Sequence, residues 1–349
     1  MQLAFTTSKI NIQKYCEVNH MKQRQIGKNG PMVGEVGFGA MSFGGIFGQT
    51  DKATSFATLN AALETGTTHI DTALIYGPHT SEEVIGEWLR DKPGARQKLH
   101  IATKGGIRPN PRAVINEASF LTQCLDGSLK RLGVDCVDLY YIHRRDQSIA
   151  IEDVTHTLAG FVKQGKIKAF GFSEISPASL ERASAVHHVA AVQNEYSLWS
   201  RQPELGMIEA CERHGTTLVA FSPLARGALA DREFNPHALE TNDWRKAMPR
   251  ISGENWPANA KRIAAFRKFA NERGWTTEAL ALAWVLSRAP NIVPIPGTRS
   301  PEHLKRNAVA SVIRLTAEDL VEINKLLPAG WAHGHRYSDS QQGGSEQYC

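Results

Sequence analysis

The sequence predicts a single-domain (β/α)8 barrel, and three features of the chain carry this prediction. Eight short runs rich in Val, Ile, Ala and Phe are apolar at consecutive positions, as parallel strands covered on both faces must be. Segments with apolar residues at helical spacing separate these runs, so strand and helix patterns alternate along the chain. The length of 349 residues, of which 42% are hydrophobic, suits one large core.

The predicted strands follow one another as MVGEVGFG (32–39), THID (68–71), HIATK (100–104), VDLYYIH (137–143), KAFGFSE (168–174), VAAVQ (189–193), TTLVAFS (216–222) and NIVPIP (291–296). A doubly wound sheet is the alternative fold, and it would normally carry the glycine pattern GxGxxG after its first strand. Segment 37–45 reads GFGAMSFGG, in which Ser42 replaces the third glycine of that pattern. The barrel is therefore favoured.

The helices between the strands carry signals at their ends. Segments 53–66 and 115–133 both end at a glycine, which suits the left-handed residue that commonly closes a helix. Segment 81–91 opens with a serine and two acidic residues, and segment 276–288 opens with a threonine, as favoured at helix N-termini. We therefore expect helices over these four segments.

The connection between the seventh and eighth strands is much longer than the others, at about seventy residues. It contains a predicted helix at 258–274 and otherwise little regular pattern. Connections of this length are usually functional. We expect this insertion to fold over the rim that the C-terminal ends of the strands form.

The chain divides into a barrel and two flanking segments. We place residues 25–330 in the barrel. Residues 1–24 are predicted to be a mobile N-terminal extension, and the sequence does not decide whether the first twenty belong to the native protein. Residues 331–349 are predicted to be a polar C-terminal tail, in which Trp331 and Tyr337 are candidate anchors.

Composition and charge exclude several classes of partner. The net charge is +5, but the 40 Lys and Arg residues are scattered and form no nucleic-acid-binding motif, so we expect no nucleic-acid partner. No apolar run approaches the ~20 residues of a membrane-spanning helix, and the N-terminus lacks the apolar core of a secretory signal. Five cysteines without CxxC spacing fit a reducing compartment. We predict a cytoplasmic protein of undetermined oligomeric state.

Four side chains with catalytic chemistry lie at or just past the C-terminal ends of three successive strands. They are Asp71, Tyr76, Lys104 and His143. The C-terminal strand ends of a barrel carry its active site. Each residue alone has a structural explanation, such as a turn cap, a packing aromatic, a solvated rim charge or a buried histidine. Their occurrence together at one end of the barrel favours catalysis.

The four side chains suit the delivery of a proton to a carbonyl oxygen. A phenol has an ordinary pKa near ~10, so Tyr76 is a weak acid at neutral pH. The Lys104 ammonium would lower that pKa, and the Asp71 carboxylate would keep Lys104 charged and in place. His143 would donate to the carbonyl oxygen and orient it, or share in the proton relay.

The segments around these residues resemble the aldo-keto reductase family. DTALIYG (71–77), LHIATK (99–104) and VDLYYIHR (137–144) resemble the segments that carry its catalytic Asp, Tyr, Lys and His. SGENWPANAKR together with WTTEALALAWVLSR is similar to the bacterial and plant branch with a long insertion after strand 7. The resemblance runs from about Gln25 to Leu327. It implies reduction of small aldehydes and ketones by hydride from a nicotinamide cofactor.

The resemblance also implies a cofactor site in three later segments, AVQNEYSLWSR (191–201), VAFSPLARG (219–227) and IVPIPGTR (292–299). The implied cofactor-binding residues are Ser173, Gln193, Phe221, Ser222, Leu224, Gly227, Gly297, Thr298, Arg299 and Asn307.

Within this set, the nicotinamide amide would be held by Ser173 and Gln193, and Phe221 would stack on the ring. Many relatives outside this branch carry Asn where Glu174 stands beside Ser173. The backbone of the loop that contains Ser222, Leu224 and Gly227 would approach the pyrophosphate.

The adenosine end of the cofactor decides between NADPH and NADH. Gly297 would allow close backbone approach, Thr298 would donate to phosphate and Asn307 would hold the adenine. Arg299 is the candidate for the 2′-phosphate of NADPH, because a guanidinium suits bidentate phosphate binding. NADPH is therefore expected in preference to NADH, although much of the family carries Arg where His303 stands. Lys305 and Arg306 are alternative cations for this phosphate.

Two other functions remain open from the sequence. A metal-dependent barrel hydrolase or isomerase would need His and carboxylate ligands at the strand ends. The paired histidines at 187–188 and the HGH segment at 333–335 are instead expected on the surface, so no metal is predicted. The second alternative is a barrel that binds NADPH and reports its redox state to a partner, with slow or residual reductase activity.

Overall fold

The central feature of the computed structural model, which describes residues 21–241 and 243–348, is a barrel of eight parallel strands. They are β1 (Phe38–Gly39), β2 (His69–Asp71), β3 (His100–Gly105), β4 (Val137–Ile142), β5 (Ile167–Ser173), β6 (Ala191–Glu195), β7 (Thr217–Phe221) and β8 (Ile292–Ile295). Neighbouring strands pair in chain order. A parallel bridge between Gly39 and Gly297 joins the first and last strands, and the Gly37 amide donates to the Pro294 carbonyl at 2.9 Å. The predicted (β/α)8 barrel is confirmed.

Ten helices in the described residues surround this barrel. They are α1 (Lys52–Thr65), α2 (Thr80–Asp91), α3 (Ala118–Leu132), α4 (Ile151–Lys163), α5 (Pro177–Val186), α6 (Met207–His214), α7 (Asn255–Glu272), α8 (Thr277–Ser287), α9 (Pro301–Ala308) and α10 (Ala317–Leu326). Gly66 and Gly133 close α1 and α3 at φ of 74° and 67°, as their positions predict. Thr276 caps α8 by accepting from the Ala279 amide at 3.3 Å. None of the helices described here is long and apolar enough to cross a membrane.

The first predicted strand, 32–39, is wrong as a single element. Met32–Gly34 pairs antiparallel with Gln23–Gln25 in a hairpin, and only Phe38–Gly39 joins the barrel. The interruption at Glu35 explains the split, because its buried carboxylate accepts from Arg24 at 3.2 Å and from Ser311 at 2.7 Å. The mobile extension was predicted for residues 1–24. Residues 1–20 lie outside the described residues, and within the rest Gln23–Gln25 forms a strand of this hairpin.

The hairpin closes the N-terminal end of the barrel. Ile26 and Val33 belong to the apolar cluster that fills the barrel interior, together with strand residues such as Val219. The Arg24 guanidinium donates to three carbonyls around the end of α8 and the start of β8, those of Leu286, Ala289 and Ile292. Any site for a ligand in the barrel must therefore be sought at the opposite end.

The long connection between β7 and β8 contacts loops that follow other strands. The Trp244 ring lies 6.1 Å from that of Phe47, in the loop after β1. The Arg250 guanidinium donates to the Trp199 carbonyl at 2.5 Å and to Ser200 Oγ at 2.8 Å, both after β6. These contacts join the insertion to two loops at the C-terminal end of the barrel.

The C-terminal tail packs along the same end. The Trp331 indole, 6% exposed, donates to the Leu198 carbonyl at 2.7 Å. The Glu346 amide donates to the Glu174 carbonyl at 2.9 Å, directly after β5. Tyr348 Oη accepts from the Asn194 amide group in β6 at 2.6 Å. The tail therefore crosses the ends of β5 and β6.

Candidate functional site

The structure brings the four predicted catalytic side chains together at the C-terminal end of the barrel. Asp71 ends β2, Lys104 lies in β3, His143 follows β4 and Tyr76 lies in the turn after β2. The Lys104 ammonium forms an ion pair with the Asp71 carboxylate, donates to the Thr72 carbonyl at 2.8 Å and lies 3.4 Å from Tyr76 Oη. The rings of Tyr76 and His143 meet edge to face with centroids 5.7 Å apart.

Burial and the neighbouring charges set the protonation of Tyr76 and Lys104. Burial alone would lower the pKa of the Lys104 ammonium, but Asp71 and Tyr76 together raise it above its ordinary value. Burial raises the pKa of Tyr76, and the opposing effect of Lys104 does not cancel it. Lys104 lowers the pKa of Tyr76, as expected, but burial raises it by more, so the net shift is upward. The phenol is therefore protonated at neutral pH, as a proton donor must be.

The His143 imidazole is held neutral. Burial lowers its pKa well below 6.5, and the positive charges of Arg144, Lys104 and Arg112 lower it further. A neutral imidazole carries one N–H and donates a single hydrogen bond. His143 is therefore suited to orient a carbonyl oxygen beside Tyr76.

Two predicted nicotinamide residues adjoin the candidate catalytic side chains. Gln193 Nε2 donates to Asp71 Oδ2 at 2.7 Å, so the amide of Gln193 is oriented by the carboxylate that also pairs with Lys104. Ser173 Oγ accepts from the Arg144 guanidinium at 3.2 Å, and the guanidinium carbon lies 6.0 Å from the centre of the Phe221 ring. Sequence reasoning missed Arg144, whose position directly after His143 in HRRD was the available signal.

Glu174 belongs to a buried cluster of charges that the sequence did not reveal. Its backbone has φ of 58°, and its carboxylate accepts from the Glu195 amide at 3.0 Å and pairs with Arg336 at 2.5 Å. Glu195 pairs with Arg226 at 2.6 Å and with Arg336 at 3.4 Å. The cluster joins the ends of β5 and β6 to the loop after β7 and to the tail.

The loop after β7 contains several residues with left-handed backbone. Ser222, Ala225 and Arg226 have φ of 49°, 51° and 58°, and Gly227 has φ of 99°. Non-glycine residues in this region cost about 1–3 kcal/mol each and concentrate at functional sites. Left-handed turns of this kind recur in phosphate-binding loops. In this loop the Ala225 and Gly227 amides donate to the Ser222 and Leu224 carbonyls, both at 3.0 Å. Leu224, the remaining predicted residue of this loop, is half-buried between them.

At the predicted adenosine end, α9 begins at Pro301 with Ser300 as its N-terminal cap. Thr298 Oγ1 accepts from the Ser300 amide at 3.0 Å in the preceding turn. Gly297 lies in the bridge that closes the barrel, and Asn307 is buried in α9.

The cations proposed for the 2′-phosphate differ in their partners. Lys305 pairs with Glu64 at 3.0 Å, and Arg306 pairs with Asp231 and Glu278. Arg299 donates to the Phe47 carbonyl at 2.7 Å and has no carboxylate partner within the described part of the chain. Arg299 is therefore the candidate cation without a competing carboxylate, whereas Arg306 pairs with two carboxylates and Lys305 forms an exposed ion pair.

The donor set suits an organic anion rather than a metal. In residues 21–241 and 243–348, no three His, Cys, Asp or Glu side chains converge as metal ligands would. The candidate site instead presents amide, hydroxyl, aromatic and guanidinium groups, which fit a nicotinamide dinucleotide.

Comparisons with known proteins show the family to which the fold belongs. The model of the Aldo/keto reductase family matches residues 35–328. The chain is 38% identical over 322 residues to aldo-keto reductase str7 of Strobilurus tenacellus, covering 90% of this chain and 94% of that protein. It is 36% identical over 321 residues to aldo-keto reductase yakc [NADP(+)] of Schizosaccharomyces pombe, with the same coverage. The structure of an aldo-keto reductase from Klebsiella pneumoniae in complex with NADPH superposes with a TM-score of 0.69 at 25% identity, covering 91% of this chain and 99% of that one.

Proposed function

Because this chain belongs to the aldo/keto reductase family, we propose that it reduces aldehydes or ketones to alcohols by hydride transfer from NADPH. The observation that carries the proposal is the contact chain from Asp71 through Lys104 to Tyr76, with His143 beside the phenol. The buried phenol and neutral imidazole form a place where a carbonyl oxygen can accept two hydrogen bonds.

The four residues divide the reaction between them. NADPH, when bound, supplies the hydride that the carbonyl carbon receives. Tyr76 transfers its proton to the carbonyl oxygen as the C–O double bond becomes single, and Lys104 stabilises the phenolate that remains. Asp71 keeps Lys104 charged, and the His143 N–H orients the oxygen toward the phenol. A proton from solvent then restores Tyr76.

The choice of NADPH rests on this chain's own residues and on its relatives. The loop from Ser222 to Gly227 would receive the pyrophosphate. The guanidinium of Arg299, which has no carboxylate partner among the described residues, would receive the 2′-phosphate. Ser173, Gln193 and Phe221 would hold the nicotinamide. The relative yakc is named for NADP(+), and the Klebsiella structure contains NADPH.

The test is binding followed by turnover. Purified protein is titrated with NADPH and with NADH by nicotinamide fluorescence, and aromatic and aliphatic aldehydes are then added while absorbance at the nicotinamide band is followed. We expect tighter binding of NADPH and aldehyde-dependent oxidation over many turnovers. Binding without turnover on the whole panel would instead favour a redox sensor. No binding of either cofactor would contradict both.

A further inference from the structure

Arg144 lies at the barrel mouth in contact with both halves of the proposed site. Its guanidinium donates to the His143 carbonyl at 2.7 Å and to Ser173 Oγ at 3.2 Å. Its aliphatic stem is covered by Gly344 of the tail, where an added Cβ would come within 2.7 Å of Arg144 Cβ. The tail therefore covers the base of the side chain, and the charged end lies beside the proposed nicotinamide position, next to Ser173 and His143.

Most of the other buried charges around this mouth form ion pairs with one another. These are Lys104 with Asp71, Arg226 and Arg336 with Glu195 and Glu174, and Arg145 with Glu346. Within the described residues Arg144 forms no ion pair, and its two hydrogen-bond acceptors are uncharged oxygens. One half-buried positive charge is therefore left over next to the catalytic imidazole, and such a charge attracts an anion.

The proposed cofactor does not supply that anion at this position. Its phosphates would lie at the loop from Ser222 to Gly227 and at Arg299, whereas the nicotinamide ring is neutral when reduced and positively charged when oxidised. The remaining species in the site is the substrate. A guanidinium offers paired N–H donors that match the two oxygens of a carboxylate.

We propose that Arg144 is a specificity-determining residue that binds an anionic group of the substrate, so that the preferred substrates are aldehydes or ketones carrying a carboxylate. This inference rests on the proposed reductase function. The carboxylate would pair with Arg144 while the carbonyl oxygen lies between Tyr76 and His143.

The test uses substrates that differ only in charge. The 2-, 3- and 4-carboxybenzaldehydes are compared with their methyl esters in the wild type and in the variants Arg144→Met, Arg144→Lys and Arg112→Met. In the wild type, we expect the kcat/KM of at least one acid to be higher than that of its methyl ester. Arg144→Met should lower that ratio about 10- to 100-fold, as the loss of a charge-assisted hydrogen-bonded pair predicts. Arg144→Lys should retain part of the preference for the acid over its ester.

Arg112 is the matched control, because it also contributes positive charge at His143 but lies exposed on the hairpin at 107–114. Its replacement should change the acid-to-ester ratio less than threefold. A similar fall in both Met variants would assign the effect to the general field of the site and overturn the role given to Arg144.

Two binding measurements separate substrate from cofactor. Arg144→Met should keep the Kd for NADPH within threefold of the wild type, which also shows that the variant is folded. Benzoate, but not benzamide, should perturb the fluorescence of bound NADPH in the wild type and not in Arg144→Met. A Kd for NADPH that rises as much as the selectivity falls would make Arg144 a cofactor residue and overturn the inference.

The two proposals fail in distinguishable ways. If the wild type reduces every ester with a kcat/KM at least equal to that of its acid, the inference is wrong and the reductase function stands. If NADPH binds but neither acids nor esters are reduced, the reductase function itself is contradicted.

Discussion

The ion pair between Asp71 and Lys104 makes a prediction in which stability and activity separate. The Lys104 side chain is fully buried and that of Asp71 is 2% exposed. Asp71→Asn would leave a buried ammonium without its counter-charge. Lys104→Met would leave a buried carboxylate whose remaining hydrogen bond from the described side chains comes from the Gln193 amide at 2.7 Å. Each single variant therefore leaves one buried charge that water cannot reach.

Breaking one partner of a buried ion pair typically costs about 3–5 kcal/mol, whereas replacing both partners is often close to neutral. We expect each single variant to lose roughly that free energy of unfolding. The double variant should be more stable than either single variant, because no unpaired charge remains. Turnover should fall about 10²- to 10⁴-fold in all three, since proton transfer from Tyr76 depends on the positive charge of Lys104.

Urea unfolding followed by circular dichroism gives the stabilities, and NADPH-dependent aldehyde reduction gives the activities. Glu87→Gln, which breaks an exposed ion pair with Lys52, is the matched control and should change neither quantity appreciably. A double variant less stable than both single variants would refute the reasoning, as would single variants of wild-type stability.

The remaining predictions concern one residue or pair each. Tyr76→Phe should lose about 10²- to 10⁴-fold in kcat while keeping its Kd for NADPH within threefold, and a loss below tenfold would remove Tyr76 as proton donor. Arg299→Gln should raise the Kd for NADPH about tenfold or more without a matching change for NADH, whereas Lys305→Gln, its control, should change neither. Burial lowers the pKa of His69 to about 4 and that of His100 to about 3. Below pH ~6.5 the unfolded chain therefore binds more protons than the folded chain. The free energy of unfolding should fall as the pH decreases from there toward ~4. Urea unfolding at pH 7, 6, 5 and 4.5 measures this slope; His100→Asn should flatten it, and an unchanged slope would exclude the pair as its source.

Local pattern predicted that the four candidate catalytic side chains lie together, because three strands and the turn after one of them fix their positions. Asp71 and Lys104 lie in strands, and His143 follows one directly, so that the barrel topology alone brings them to one end. Tyr76 follows Asp71 within one turn. The prediction therefore did not require knowledge of contacts between distant parts of the chain.

The buried charge cluster could not be predicted in this way. Glu195 and Arg336 are 141 positions apart, and their contact depends on the path of the tail across the barrel. The positive φ of Glu174 is likewise set by its partners rather than by its residue type, which disfavours that conformation. The prediction of one strand over 32–39 failed for a related reason, because its apolar residues suit both a hairpin and a barrel strand.

The contact of Arg336 with two buried carboxylates has a genetic consequence. Losses near the end of a coding sequence are often tolerated, because terminal residues commonly make few contacts. Here a frameshift or stop codon before the codon for Arg336 would leave Glu174 and Glu195 with fewer counter-charges directly beside the proposed nicotinamide residues. Alleles that shorten only this tail should therefore behave as loss-of-function alleles, although every strand of the barrel would still be encoded.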